Sequence, residues 1–430
     1  MTTPAAGEPR PAPLVVRTVA VADPGPLLSL LPDTGPLAWV RGGLDGGQGL
    51  VGWGEAARLD ADGPRRFADA EQWWRTVVGS AVVRDEVHLP GSGLVAFGSF
   101  AFADDPGRSA LVVPEVAVGR RGDTWWVTTI GQGRLSGVPA LDHPALGDAH
   151  GDGVVPPRDV VFTDGARSGA EWESVVADAV RRIAASDLEK VVLARDLVAE
   201  TAGDIDVRWP LQQLARLYPS CWTFHVDGLF GATPEMLVRR ERGLVTSRVL
   251  AGTIRRTGDD EHDLALAASL ARSSKDLEEH EYAVRSVAEA LAPHCSSMNV
   301  PETPFVLHLP NVMHLATDVT GVIAGGSETT ALGLAAALHP SAAVGGTPTA
   351  DAVALIAEVE GMDRGRYAGP VGWIDAAGDG EWGIALRCGE VDGARVRLFA
   401  GCGIVADSDP EAELAESQAK LVPVRDALES

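Results

Sequence analysis

Strand-like and helix-like segments come in mixed runs along this 430-residue chain, and no regular strand–helix–strand alternation sets in. A parallel, doubly wound sheet needs that alternation, because each parallel crossover is normally a helix. Its absence predicts a large α+β fold. From about 13 to 130, short apolar runs (PLAWVRGG, GLVAFGSFAFA, ALVVPEVAVG, TWWVTTI) are separated by turns bearing Gly, Pro and Asp, and read as strands. Residues 131–160 are Gly, Pro, His and Asp with little periodicity, a linker or long loop and the best internal boundary. Residues 1–12 are rich in Pro and Ala and expected to be disordered. The organisation read from sequence is thus 1–12, a 13–160 half, and a 161–430 half.

Past residue 160 the pattern sharpens. Ser168 and Glu171 have the spacing of a capping box ahead of Trp172, Val175, Val176, Ala179, Val180 and Ile183, an amphipathic helix. Strands read at KVVLARDLVAE (about 190–200), CWTFHVDGLFGA, EMLVRRE and LVTSRVL, and near 368–375, 382–388 and 394–400. Helices read at about 261–272, 275–293 and 410–427. No internal repeat is visible.

At 45% hydrophobic residues the chain can bury a large core. Its net charge of −24 repels nucleic acid and anionic lipid, and excludes both as expected partners. The same charge repels anionic metabolites, so such a ligand would need concentrated local cations or a metal. No stretch approaches the roughly 20 apolar residues of a membrane span. The start, MTTPAAGEPRPAPL, has Pro where a signal peptide needs an apolar core, which predicts a cytoplasmic protein. Cys221, Cys295, Cys388 and Cys402 are scattered without a CxxC pair and read as reduced thiols.

Four carboxylates stand out. Asp276 and Glu279 are three apart in SSKDLEEHEYAV, as are Glu413 and Glu416 in DPEAELAESQAK, and on a helix each pair shares one side. In the last helix Leu414, Gln418 and Leu421 fall on one face, and Glu413, Glu416 and Lys420 on another. Solvated acidic faces are the commoner outcome of such spacing; two helices converging on Mg2+ are the sharper one. Lys190 opens an apolar strand, where a lysine ordinarily reaches into water; held inside a pocket, a lysine can serve as a base. Glu235 follows a Gly–Ala–Thr–Pro turn, and is either exposed or a buried carboxyl fit to donate a proton. Two glycine-bearing turns, LAGT at 250–253 and AGCGIV at 400–405, are candidate anion cradles. Arg387 lies in a strand-like run where a buried arginine needs an acidic partner, with Tyr367 a possible second contact for it. His314 and His339 read as structural histidines, and no HExxH spacing suggests zinc.

Taken in order, KVVLAR, FGATPEML, LAGTIRR, KDLEEH, VMHLAT, LHPSAAVGGTP, YAGPVGW, GDGEWGIALRC, AGCGIV and SDPEAELAESQAK resemble the chorismate-binding enzyme family, over about 165–428. The resemblance implies two large packed antiparallel sheets flanked by helices in one compact unit, with chorismate as substrate, Mg2+ as cofactor and a monomer as the expected form. It places the water-activating lysine at Lys190 and the general acid at Glu235. The metal ligands fall at Glu279 and Glu416, supported by Asp276 and Glu413. Gly252, Thr253 and Ala343 match substrate-contacting turn residues. Tyr367, Arg387, Gly401, Gly403 and Lys420 match groups that grip the substrate carboxylates, and His314 a pocket histidine. Lys190 argues against the anthranilate synthase branch. Ala251 stands where the aminodeoxychorismate branch carries its nucleophilic lysine. AGTIRR and GDGEWGIALRC look most like the isochorismate synthase branch, serving menaquinone or siderophore synthesis. Salicylate synthase and a noncatalytic chorismate-binding relative are the alternatives. Cys402 stands where the family usually has Ala, and PSAA at 340–343 where PTPA is commoner.

Overall fold

A computed structural model describes residues 13–133 and 153–430, without the side chains of Lys275 and Glu279. The start expected to be disordered, 1–12, and most of the 131–160 linker lie outside the described residues. Two large sheets dominate, one of 13 strands and one of 10. Their pairings are antiparallel except for Leu14–Val21 alongside Val82–Asp85. Strands from both sides of the linker hydrogen-bond within each sheet: Leu37–Arg41 pairs Trp222–Val226 in one, and Val95–Ser99 pairs Pro370–Asp375 in the other.

Burial follows position in the layers. Leu14–Val21 alternates buried and half-buried residues, as a strand covered on one face should. Lys190–Glu200 is buried along most of its length, because the helix Gly169–Ala184 covers its second face. That helix starts on the expected capping box, with Glu171 N bonded to Ser168 Oγ and Ser168 N to Glu171 Oε2. Trp172 Nε1 then donates to Ala194 O at 3.1 Å, fixing the helix to the strand.

Trp39, Phe97, Trp126, Phe224 and Trp382 belong to one core cluster drawn from both sheets. Trp382 is fully buried and meets Phe100 edge-on, centroids 5.6 Å apart. Trp382→Ala should cost about 3–5 kcal/mol through lost burial and the cavity left behind. A urea midpoint unchanged from wild type would contradict this.

Several elements differ from the sequence reading. Arg66–Ser80 is a helix, as are Ala331–Leu338 and Thr349–Val359; none was expected. CWTFHVDGLFGA is two strands, Trp222–Val226 and Leu229–Thr233, joined at Asp227–Gly228, both with positive φ as a tight hairpin turn demands. LAGT and AGCGIV are not turns. LAGT lies inside the strand Leu244–Arg255 and AGCGI inside Arg395–Ile404, with Val405 just past its end, and a bulge between Ala251 and Thr253 supplies the irregularity that the glycine signals. In the last helix, Pro410–Glu429, the buried stripe is Ser417, Leu421, Val424 and Leu428; Gln418 is exposed, contrary to its expected face.

Two of the links by which the chain crosses between the sheets lie side by side. Pro234–Glu235 joins Leu229–Thr233 of the larger sheet to Met236–Glu241 of the smaller. Ala385–Leu386–Arg387 joins Gly380–Ile384 back to Cys388–Asp392. The links are bonded to each other, through Ile384 N to Glu235 O (3.2 Å) and Ala232 N to Arg387 O (3.1 Å). The functional residues gather at this seam.

Candidate active site

A cavity of about 210 Å3 opens at the seam. Its wall contains Lys190, Glu235, Gly252, Thr253, Asp276, His314, Ala343, Tyr367, Arg387, Gly401, Gly403, Glu413, Glu416 and Lys420. These are the site residues read from sequence, save Glu279, whose side chain lies outside those described. The sequence reading missed the apolar part of the wall (Val192, Leu250, Val344, Leu386 and Val405), since an aliphatic lining residue looks like any core residue. A larger surface cleft, about 910 Å3, includes Arg58 and Arg366, but both are ion-paired to Asp227.

Lys190 is half-buried at the first position of its strand, opposite Thr347. Glu235 is 5% exposed. Burial pushes its carboxyl up to about 7, against the opposing pull of the Leu250 N–H and of the Arg387, Lys190 and Lys420 cations. A carboxyl so placed holds its proton near neutral pH and can deliver it.

Arg387 has a positive φ of 49°, in the left-handed region that non-glycine residues seldom adopt. Contrary to expectation it lies in a bend rather than a strand, and no carboxylate among the described residues pairs with it. Its Nη2 instead reaches His314 Nε2 at 3.5 Å. A guanidinium only donates, so Nε2 accepts, and Nδ1–H donates to Thr253 Oγ1 at 3.0 Å. Burial first, then the Arg387 and Lys420 charges, keep His314 neutral. His314 is therefore a cavity residue, whereas His339 is structural, bonded to Phe102 O at 3.0 Å. Tyr367 stacks on Phe399, centroids 5.2 Å apart and 9° from parallel.

Three carboxylates line the same cavity. Asp276 lies in the first turn of Ser274–Leu291, beneath Gly252, which has φ +76° and would bring a Cβ to 3.1 Å from the Asp276 Cβ. Glu413 Oε1 accepts from Ser408 Oγ at 2.8 Å. Glu416 Oε1 lies 2.6 Å from Lys420 Nζ, which also donates to Gly401 O at 2.9 Å. Burial opposes the Lys420 charge, but Glu416 outweighs it and holds the ammonium above its ordinary range. Two of its three donors are thus used, leaving one to face the cavity.

The carboxylate set suits a hard divalent cation, which takes oxygen donors. One ligand atom each from Cys402, Glu413 and Glu416 lies within 4.8 Å of the others. Burial pushes the Cys402 thiol far up, so it stays protonated. Successive residues of a strand face opposite ways, so Gly401 and Gly403 front the cavity while Cys402 turns to the last helix, Sγ donating to Glu413 O at 3.4 Å. Cys402, which stands where the family usually has Ala, therefore leaves the cavity lining unchanged.

The profile of the family described as chorismate binding enzyme matches residues 42–429, and the chain belongs to that family. It is 34% identical over 400 residues to the salicylate biosynthesis isochorismate synthase of Pseudomonas aeruginosa, covering 87% of this chain and 82% of that protein. It is 41% identical over 262 residues to the isochorismate synthase DhbC of Bacillus subtilis, covering 58% of this chain and 66% of that protein. The structure of MenF, the menaquinone-specific isochorismate synthase of Escherichia coli, superposes with a TM-score of 0.79 at 25% identity, over 98% of this chain and 96% of that one.

All four cysteines are free. Among the described residues no helix is long and apolar enough to cross a membrane.

Proposed function

We propose that the chain is an isochorismate synthase, converting chorismate to isochorismate by adding water at C2 and expelling the C4 hydroxyl. One observation carries this reading: Lys190 and a carboxyl that holds its proton near pH 7, Glu235, line one small cavity with Arg387. Substitution with displacement of a hydroxyl needs a base for the incoming water and an acid for the departing oxygen. Lys190 Nζ takes the proton from water. Glu235 gives its proton to the C4 oxygen. Arg387 and Tyr367 hold the enolpyruvyl carboxylate, the arginine by charge-assisted bonds. Glu279 and Glu416, supported by Asp276 and Glu413, would hold Mg2+. That ion would supply Lewis-acid polarisation of the ring carboxylate.

Purified protein given chorismate and Mg2+ should form isochorismate without stoichiometric pyruvate and without ammonia or glutamine. Salicylate and pyruvate as the first products would assign salicylate synthase instead, and saturable binding without turnover a noncatalytic relative.

Gly401→Ala tests the carboxylate grip. The added Cβ would sit 2.8 Å from Tyr367 Oη, and the stacked ring cannot swing aside. KM for chorismate should rise on the order of tenfold, equivalent to ~1.4 kcal/mol of binding. An unchanged KM would remove Tyr367 from the substrate contacts.

A further inference from the structure

The strand that begins at Lys190 has an unfinished edge. Its first two residues pair with Gly346–Thr347, and its last four with Val161–Asp164. Between these, the backbone on that side meets no strand among the described residues. Buried backbone groups must still find partners. Val192 N donates to Gly345 O and Asp196 O accepts from Gly165 N; side chains supply the rest, with Trp172 Nε1 on Ala194 O. Arg364 Nη2 donates to Val192 O at 2.7 Å, and Glu360 Oε1 accepts from Ala194 N at 2.7 Å. An acceptor and a donor thus stand where a neighbouring strand would offer its C=O and N–H.

The same guanidinium reaches a second segment. Arg364 Nη1 donates to Val344 O at 2.9 Å, in the turn that brings Ala343 to the cavity. Arg364 Nε donates to Glu360 Oε2 at 2.9 Å, and the guanidinium lies 4.1 Å from the Phe102 ring centroid. Both side chains are 2% exposed. Neither lines the cavity.

We propose that Glu360 and Arg364 are positioning residues, a side-chain surrogate strand that holds the Lys190 strand in register with the Ala343 turn. The inference rests on the acid–base reading above. Arginine is required because its planar fork reaches Glu360, Val192 O and Val344 O at once, which a point-charge ammonium cannot do. A shift of about 1 Å in a reacting group can cost ~10²-fold in rate. Of the carboxylate grip, Arg387 is on another segment, and Tyr367, whose N–H donates to Arg364 O at 3.1 Å, is held separately by its stack on Phe399, so turnover should fall further than binding.

Arg364→Lys keeps the buried charge balanced and removes only the fork; Glu360→Gln keeps an acceptor for Ala194 N and weakens the pair. Turnover of chorismate, chorismate affinity by calorimetry and thermal melting would be measured for both beside wild type. Arg364→Lys should lose at least ~10-fold in kcat with affinity within about threefold and a cooperative melt; Glu360→Gln should lose less. Wild-type kcat in folded Arg364→Lys would overturn this inference alone. So would kcat, affinity and melting temperature falling together in both variants, the mark of a fold-only role. An inactive wild type would instead overturn the functional reading, and this inference with it.

Discussion

Glu235→Gln is expected to lower turnover at least ~10²-fold and, at the same time, to stabilise the folded protein at pH 8. Both effects come from one carboxyl pushed up to about 7 by burial. Glutamine cannot deliver a proton to the leaving hydroxyl, so the rate falls by the usual scale of general acid catalysis. In wild type the acid form of Glu235 is needed, so loss of its proton should bring a fall in kcat of about tenfold per unit above pH about 7. The stability effect has a definite sign. Below pH ~4.5 the carboxyl is protonated in both folded and unfolded chains and contributes no slope. As pH rises from there to about 7, the unfolded chain releases the proton that the folded chain retains, and stability is lost. At ~1.36 kcal/mol per pKa unit over about 2.5 units, the loss approaches ~3.4 kcal/mol well above neutrality. Glu235→Gln lacks that slope and should melt higher than wild type at pH 8, with little difference at pH 4.5. Near-normal turnover in the variant would strip Glu235 of the acid role. Parallel pH–stability curves would refute the buried, proton-holding carboxyl.

Chelation is expected to abolish activity, and Glu416→Gln to do nearly the same in the presence of Mg2+. Asp276, Glu413 and Glu416 line the cavity, and Glu413 and Glu416 bring like charges within 4.8 Å of each other, with Lys420 beside Glu416. A divalent ion bound there would relieve that repulsion, and binding to the folded chain alone raises stability by mass action. Mg2+ without substrate should therefore raise the melting temperature of wild type. Glu416→Gln removes one anionic donor and frees Lys420 to repel the ion, so the melting temperature should stop responding to Mg2+ and turnover should fall by on the order of 10²-fold or more. Full turnover in excess chelator, or an unaltered Mg2+ response in the variant, would dismiss the metal role of these carboxylates.

The sequence exposed the chemistry of the site more fully than its architecture. Residues whose types carry chemistry at fixed spacing, such as Lys190, Glu235 and the Glu413/Glu416 pair, could be singled out because motifs are local. The helix Ala331–Leu338 escaped because ALGLAAAL is apolar all round, even at the exposed Ala337, and so offers no polar–apolar periodicity. The LAGT and AGCGIV glycines looked like turns because glycine also marks bulges and close approaches inside strands. The expected partner of Arg387 was wrong for a different reason: a buried arginine needs anionic company, and here a neutral histidine borders it while the cavity stays open to a ligand's carboxylate. Glu360 and Arg364 could not be found at all, since their partners are backbone atoms of distant segments, which leave no trace in side-chain pattern.

The two adjacent crossovers give the site an unusual mechanical dependence. Lys190 travels with the larger sheet, while Glu235 and Arg387 sit on links tied to both. The gap between base and acid is thus a dimension of the sandwich, set by how closely the layers approach. Residues that govern that approach include Trp39, whose Nε1 bonds Glu381 across the layers at 2.8 Å, and Gly383, where any Cβ would strike the Trp39 ring at 2.8 Å. Tuning of catalytic rate to temperature need not touch a single cavity residue: a methyl group more or less between the sheets would reset the acid–base spacing, and adaptive substitutions in such an enzyme should concentrate in that interlayer.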